Sequence, residues 1–208
     1  MLNYIKKNLS SKALKIRLVF TFILFIILFL GLTILSYYLL PEGILKNKNP
    51  LQNWKTADHT LVLTLQIFFY NMLSVIIILL GSLFGQKKDT EKNYLSIGYL
   101  AFFVVICQNA VVLGTWSFSF DLEAVSLSER IFGTFDVVHR AGIWEMIGQL
   151  FITCAVAHIA TILTSGKTTT YLKLRDIHLR KSEKLLLITG LVFMLTGAIV
   201  ESLAILAF

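Results

Sequence analysis

The chain is poor in the residues that punctuate or staple soluble folds. Its 208 residues include two prolines and two cysteines, and Asp, Glu, Lys and Arg together make up only 15%, against about 25% in a soluble domain. Cys107 and Cys154 each lie inside an apolar run, which leaves no disulfide framework and no C-x-x-C metal knuckle. Alternating segments of ~10 residues, the mark of a membrane strand barrel, are absent. So are G-x-S-x-G, a Ser–Lys pair and a G-K-[ST] loop with its glycine spacing. What is present is apolar: 56% hydrophobic residues, 16 of them Phe, and a mean hydropathy of +0.76. This composition excludes a disordered chain, a collagen, a coiled coil and an ordinary soluble enzyme.

About 20 helical residues cross the ~30 Å of hydrocarbon in a bilayer. Four stretches reach that length, at 18–40, 61–84, 95–118 and 185–208, and a fifth, less clean, runs over 143–163. The expected fold is therefore an all-α membrane protein, one domain over residues 1–208, with a bundle of about five transmembrane helices. The first run is 23 residues long, beyond the roughly 7–15 of a signal-peptide core, and no small-x-small cleavage site follows it. It ends in Ser36-Tyr37-Tyr38, which reads as an interfacial aromatic anchor, as does Trp54 in the loop 41–60. Between the third and fourth stretches, Gly133 and Gly142 bracket about nine residues. That short piece reads as a broken or re-entrant element, which is tolerated at membrane depth only inside protein or water.

Fourteen of the 19 Lys and Arg residues fall in the N-terminal segment, the loop after the second stretch, and residues 165–184. The positive-inside rule then predicts a multi-pass protein of the bacterial cytoplasmic membrane, N-terminus inside and C-terminus outside. The net charge of +7 is topology signal and attraction to anionic lipids rather than a nucleic-acid groove. Residues 165–184 are basic, with Tyr171, Leu172, Leu174, Ile177 and Leu179 interspersed. They suggest an amphipathic helix on the inner lipid surface or a docking surface for a cytosolic partner. Gly81 and Gly85 form a G-x-x-x-G that permits close helix contact.

Polar side chains inside spans are costly and usually face a bundle interior. At 1.5 Å per residue, Asn71, Asn109, Glu145 and Glu201 reach one layer roughly 20–27 Å above the inner ends of their helices. Gln149 follows Glu145 by one turn. Such a layer holds a proton, a cation or a peptide, or it is hydrogen-bonding glue worth about 0.6–2 kcal/mol per contact. Glu145 and Glu201 have no cation nearby in their own spans, so they are protonated, paired with Arg140, or in touch with water or a cation. Asp136, His139 and Arg140 share a face if their segment is helical. Glu145 with His139 is a candidate hydrolase pair, although their spacing is not H-E-x-x-H. His158 is too far along the helix from Glu145 to complete a metal site. No cofactor is indicated.

These residues carry a resemblance. Y-N-M-L-S-V-I-I-I-L-L-G-S-L-F-G in the second stretch and Q-N-A-V-V-L-G in the third are similar to the opening segments of the stage II sporulation protein M family. Gly142-Ile143-Trp144-Glu145 resembles that family's H-G-I-x-E signature, and Val200-Glu201 its terminal I-E. The family's His before the glycine is Ala141 here, and the glycine after the second Asn is Ala110. The resemblance covers nearly the whole chain and marks Asn71, Asn109, Gly142, Glu145 and Glu201. It implies a membrane subunit that works with other membrane proteins. In the bacteriocin-type setting that is a permease-like or scaffold component for maturation or export of, or immunity to, a circular peptide, alongside a cytosolic ABC-type ATPase. In the sporulation-type setting it is a scaffold for peptidoglycan-remodelling proteins. An intramembrane hydrolase is the reading from a different class.

Overall fold

The computed structural model describes residues 2–46, 48, 57–87, 93–118, 123–173, 175 and 177–207. The expected anchor Trp54 lies outside them. Among the described residues the chain is mostly helical: α1 (Leu2–Leu9), α2 (Leu14–Leu39), α3 (Thr60–Ser82), α4 (Gly98–Gly114), α5 (Leu127–Thr134), α6 (Gly142–Ala155) and α7 (Lys181–Leu206). Three of these, α2, α3 and α7, have 26, 23 and 26 residues and are long and apolar enough to cross a membrane. They are uniformly apolar rather than amphipathic, because their exposed and core-facing sides are both hydrophobic. The apolar helices α4 and α6 are shorter, 17 and 14 residues, or about 26 and 21 Å.

The expectation of an all-α chain needs correction. Strands β1 (Phe84–Lys87), β2 (Leu95–Ser96), β3 (Ile162–Ser165) and β4 (Thr168–Tyr171) form one sheet in the order β2-β1-β3-β4. The β1 strand is antiparallel to β2 and parallel to β3, which is antiparallel to β4. This sheet shortens three expected spans at the same end of the bundle. Phe84 belongs to β1, Leu95 to β2, and the stretch 143–163 breaks after Ala155 into a turn that leads to β3. Leu83 carries the junction, its carbonyl accepting from the backbone N–H groups of Thr161 and Ile162. The amphipathic helix expected over 165–184 is instead the end of β3, strand β4 and the first turn of α7, and the described residues between β4 and α7 form no α-helix; Tyr171 and Leu172 are exposed. Leu174 lies outside the described residues. The G-x-x-x-G is split as well: Gly81 packs on Gly98 of α4, while Gly85 sits in β1 against Tyr94 and Ala160.

The core joins α2 (Phe25, Phe29), α4 (Phe102, Ile106) and α6 (Leu150), all closed to solvent. A second cluster, Val75, Ile152 and Met194, joins α3, α6 and α7. Short α5 begins with a capping box in which Ser126 and Glu129 satisfy each other's backbone N–H groups. Arg130 from α5 is buried. It donates to the Gly114 carbonyl that ends α4 (2.6 Å), to the Val125 carbonyl (2.8 Å) and to Glu42 (3.0 Å). Its guanidinium lies over the rings of Tyr37 and Trp116.

Candidate functional site

The site is made possible by glycine. A Cβ on Gly190 would lie 2.8 Å from the Gly148 carbonyl oxygen, and one on Gly197 would lie 2.9 Å from the Glu145 side chain. Without side chains at these points α6 and α7 approach closely, and Glu145 reaches across to α7. Its carboxyl accepts from the Asn71 side-chain amide on α3 and lies beside the Glu201 carboxyl on α7. One turn along α6, Gln149 Nε2 donates to Ser74 Oγ at 2.8 Å, and Ser74 Oγ donates to the Asn71 carbonyl at 2.6 Å. The other amide atom, Gln149 Oε1, is buried without a hydrogen-bond partner among the described residues. Thr64 and Ser202 pair at 2.6 Å toward the start of α3. Three helices thus contribute polar side chains here, with Thr64 and Ser202 as a separate pair.

Two carboxylates held side by side away from water repel each other, and a proton shared between them removes that repulsion. Asn71 adds a neutral donor and no cation. The net charge of the array therefore follows the number of protons it holds. Among the described residues no group of three or more His, Cys, Asp or Glu could hold a metal ion.

Other expected members lie elsewhere. Asn109 is exposed on α4 beside exposed Gln108 and does not join Asn71. The reason is azimuth: α4 turns Phe102, Ile106 and Ala110 into the core, and the neighbouring position points about 100° away. Asp136 and His139 pair with each other at 3.0 Å, and His139 is 77% exposed. The hydrogen bond from His139 holds the Asp136 carboxyl below its usual range. Arg140 is exposed, with its guanidinium near Gly133, and makes no bond to Glu145 or Glu201. These three residues follow α5 in a turn rather than sharing a helical face.

Sequence reading missed a second buried array. Arg17, fully buried on α2, donates to Glu183 Oε1 on α7 at 2.5 Å, to the Cys154 carbonyl at the end of α6 (2.9 Å) and to the Ser11 carbonyl (3.1 Å). Its Nη1 also lies 2.7 Å from His158 Nδ1. The His158 Nε2 faces the Ser10 carbonyl at 3.3 Å, which fixes the neutral tautomer with the proton on Nε2. Beyond the end of α6, His158 is held by burial first, and then by the Arg17 charge, down to a pKa of about 4. This array ties the free carbonyls that end α6 to the starts of α2 and α7. Comparison of the chain with protein-family models, with curated proteins and with solved structures finds no match.

Proposed function

We propose that the chain is the membrane subunit of a multiprotein complex in the bacterial cytoplasmic membrane. Five helices cross, α4 and α6 with the three long ones, the N-terminus inside and the C-terminus outside. It serves as a permease-like or scaffold component for maturation or export of, or immunity to, a peptide such as a circular bacteriocin, with an ABC-type ATPase on its inner face. One observation carries this reading: Asn71 and Glu201 both meet Glu145 where α3, α6 and α7 come together, and these are three of the five residues that bear the family resemblance. A buried array whose charge follows its proton count suits a subunit that changes state during transport better than one that only holds partners. The basic inner segments suit anionic lipid and a cytosolic partner.

The test is replacement by Gln, which keeps shape and hydrogen bonding while removing the titrating group. Glu145→Gln and Glu201→Gln, each in cells carrying the complete gene set, should abolish peptide export or immunity while insertion and complex assembly persist. Full activity in both variants would leave the array as structural glue. That outcome would favour the alternative, a scaffold in a sporulation or peptidoglycan-remodelling complex. The intramembrane-hydrolase reading draws no support from the geometry, since His139 is exposed and paired with Asp136 while Glu145 is bonded to Asn71 and lies beside Glu201.

A further inference from the structure

Between their end turns, the apolar helices α2, α3, α4, α6 and α7 expose apolar side chains, with two adjacent exceptions among the described residues. These are Gln108 and Asn109 on α4. Both are exposed, and neither side chain has a hydrogen-bond partner among the described residues. Their level is set by the Thr33 hydroxyl of α2, which lies 3.4 Å from the Ala110 carbonyl. Thr33 is six residues, about 9 Å, inside the end of α2 at Leu39. The two amides therefore open onto the apolar layer and not onto the water at its edge. There an amide without a partner keeps its full desolvation cost.

The amides do not stand alone. Leu100 (65% exposed), Val104 (56% exposed) and Gln108 follow one another at i, i+4 spacing along a single stripe of α4. Ala101 and Val105 flank it with short side chains that let another helix come close. We propose that this stripe is the contact surface for a second copy of the chain, the two α4 helices crossing at Val104 and Gln108 with their amides hydrogen-bonded to each other. An amide carries both a donor and an acceptor. A two-fold axis sets each amide opposite its own counterpart and satisfies both groups, whereas an ammonium or a carboxylate would meet its own charge. A second copy supplies the matching group by symmetry, with no other partner required. The inference rests on reading α4 as a membrane span.

Disulfide trapping in native membranes tests it. Val104→Cys in a Cys107→Ser background should form a cross-linked dimer of this chain, while Leu73→Cys on exposed α3 and Val192→Cys on exposed α7 should not. Adding Gln108→Leu and Asn109→Leu should lower the cross-linked fraction about tenfold. Gln108→Asn, which keeps an amide, should retain it. The same Val104→Cys protein, treated with a membrane-impermeant thiol reagent, should stay unlabelled. Labelling would overturn the membrane reading of α4 and the dimer with it. A shielded cysteine that forms no dimer, or cross-links only to another protein, overturns the dimer alone. So does equal cross-linking at all three faces, or a yield indifferent to the two amides.

Discussion

Arg17 Nη2 and Glu183 Oε1 meet at 2.5 Å across 166 positions of chain, with side chains 0% and 4% exposed. The pair fastens the start of α7 to the start of α2, and Arg17 also holds the last turn of α6 through the Cys154 carbonyl. Removing one partner leaves a buried charge uncompensated, at a cost of about 3–5 kcal/mol. Arg17→Met and Glu183→Leu should each lower thermal stability in detergent by that order. The double variant should lose clearly less than the sum of the two. Additive losses would mean that the contact contributes no coupling.

The neutral His158 between Arg17 and the Ser10 carbonyl predicts an acid-labile bundle end. Its pKa falls from the ordinary value of 6.5 to about 4 in the folded chain. Below pH 6.5 the unfolded chain takes up a proton that the folded chain resists. Stability is therefore full above about pH 6.5, declines as pH falls toward 4, and gains no further contribution from this group below that. The expected loss is on the order of 2–3 kcal/mol. Unfolding followed from pH 7.5 to 4.5 should show the decline, and His158→Gln should flatten it. An equally steep decline in the variant would assign the effect to other groups.

Arg130 predicts a difference between two cations. Its guanidinium serves the Val125 and Gly114 carbonyls and Glu42 at once while lying over Tyr37 and Trp116. An ammonium keeps the charge but not the planar fork or the ring stacking. Arg130→Lys should therefore destabilise nearly as much as Arg130→Met, by about 2–4 kcal/mol, and Trp116 fluorescence should report the change. Wild-type stability in the Lys variant would reduce the site to simple charge pairing.

The long helices were legible because α2, α3 and α7 rest on runs too long and too apolar for another fold. The sheet was not. Leu95, Ile97, Ile159, Ile162 and Leu163 are as apolar as the helices they adjoin, and short apolar runs do not separate strand from helix. Helical rise alone puts Asn71, Glu145 and Glu201 at one level. Rise carries no azimuth, so it does not separate Asn109, which faces away from them on α4. The Arg17 array stayed hidden for another reason: a cation at the start of a span has the same sequence signature whether it sets topology or, like Arg17, folds inward onto Glu183.

The glycines between α6 and α7 give the sharpest test of how the polar array is positioned. A side chain at Gly190 has nowhere to go, because its Cβ would meet Ile152 at 2.7 Å and the Gly148 carbonyl oxygen at 2.8 Å. Gly190→Leu must push the helices apart at their closest crossing, and overpacking of this kind costs about 1–3 kcal/mol. The displacement acts within two helical turns of Gly197, against which Glu145 lies, so the Glu145–Glu201 contact should open as well. The control is Gly31→Leu on α2, where a Cβ would meet nothing within 4 Å. There the only change is from a poor helix former to a good one, and stability should rise by up to about 1 kcal/mol. Thermal unfolding in detergent compares the two directly. Cross-linking of Glu145→Cys to Glu201→Cys, in a background with both native cysteines changed to Ser, then reads the contact itself. It should be efficient with Gly190 intact and strongly reduced once Gly190→Leu is added. Undiminished cross-linking in the Gly190→Leu protein would show that the carboxyl pair does not depend on this close approach of α6 and α7.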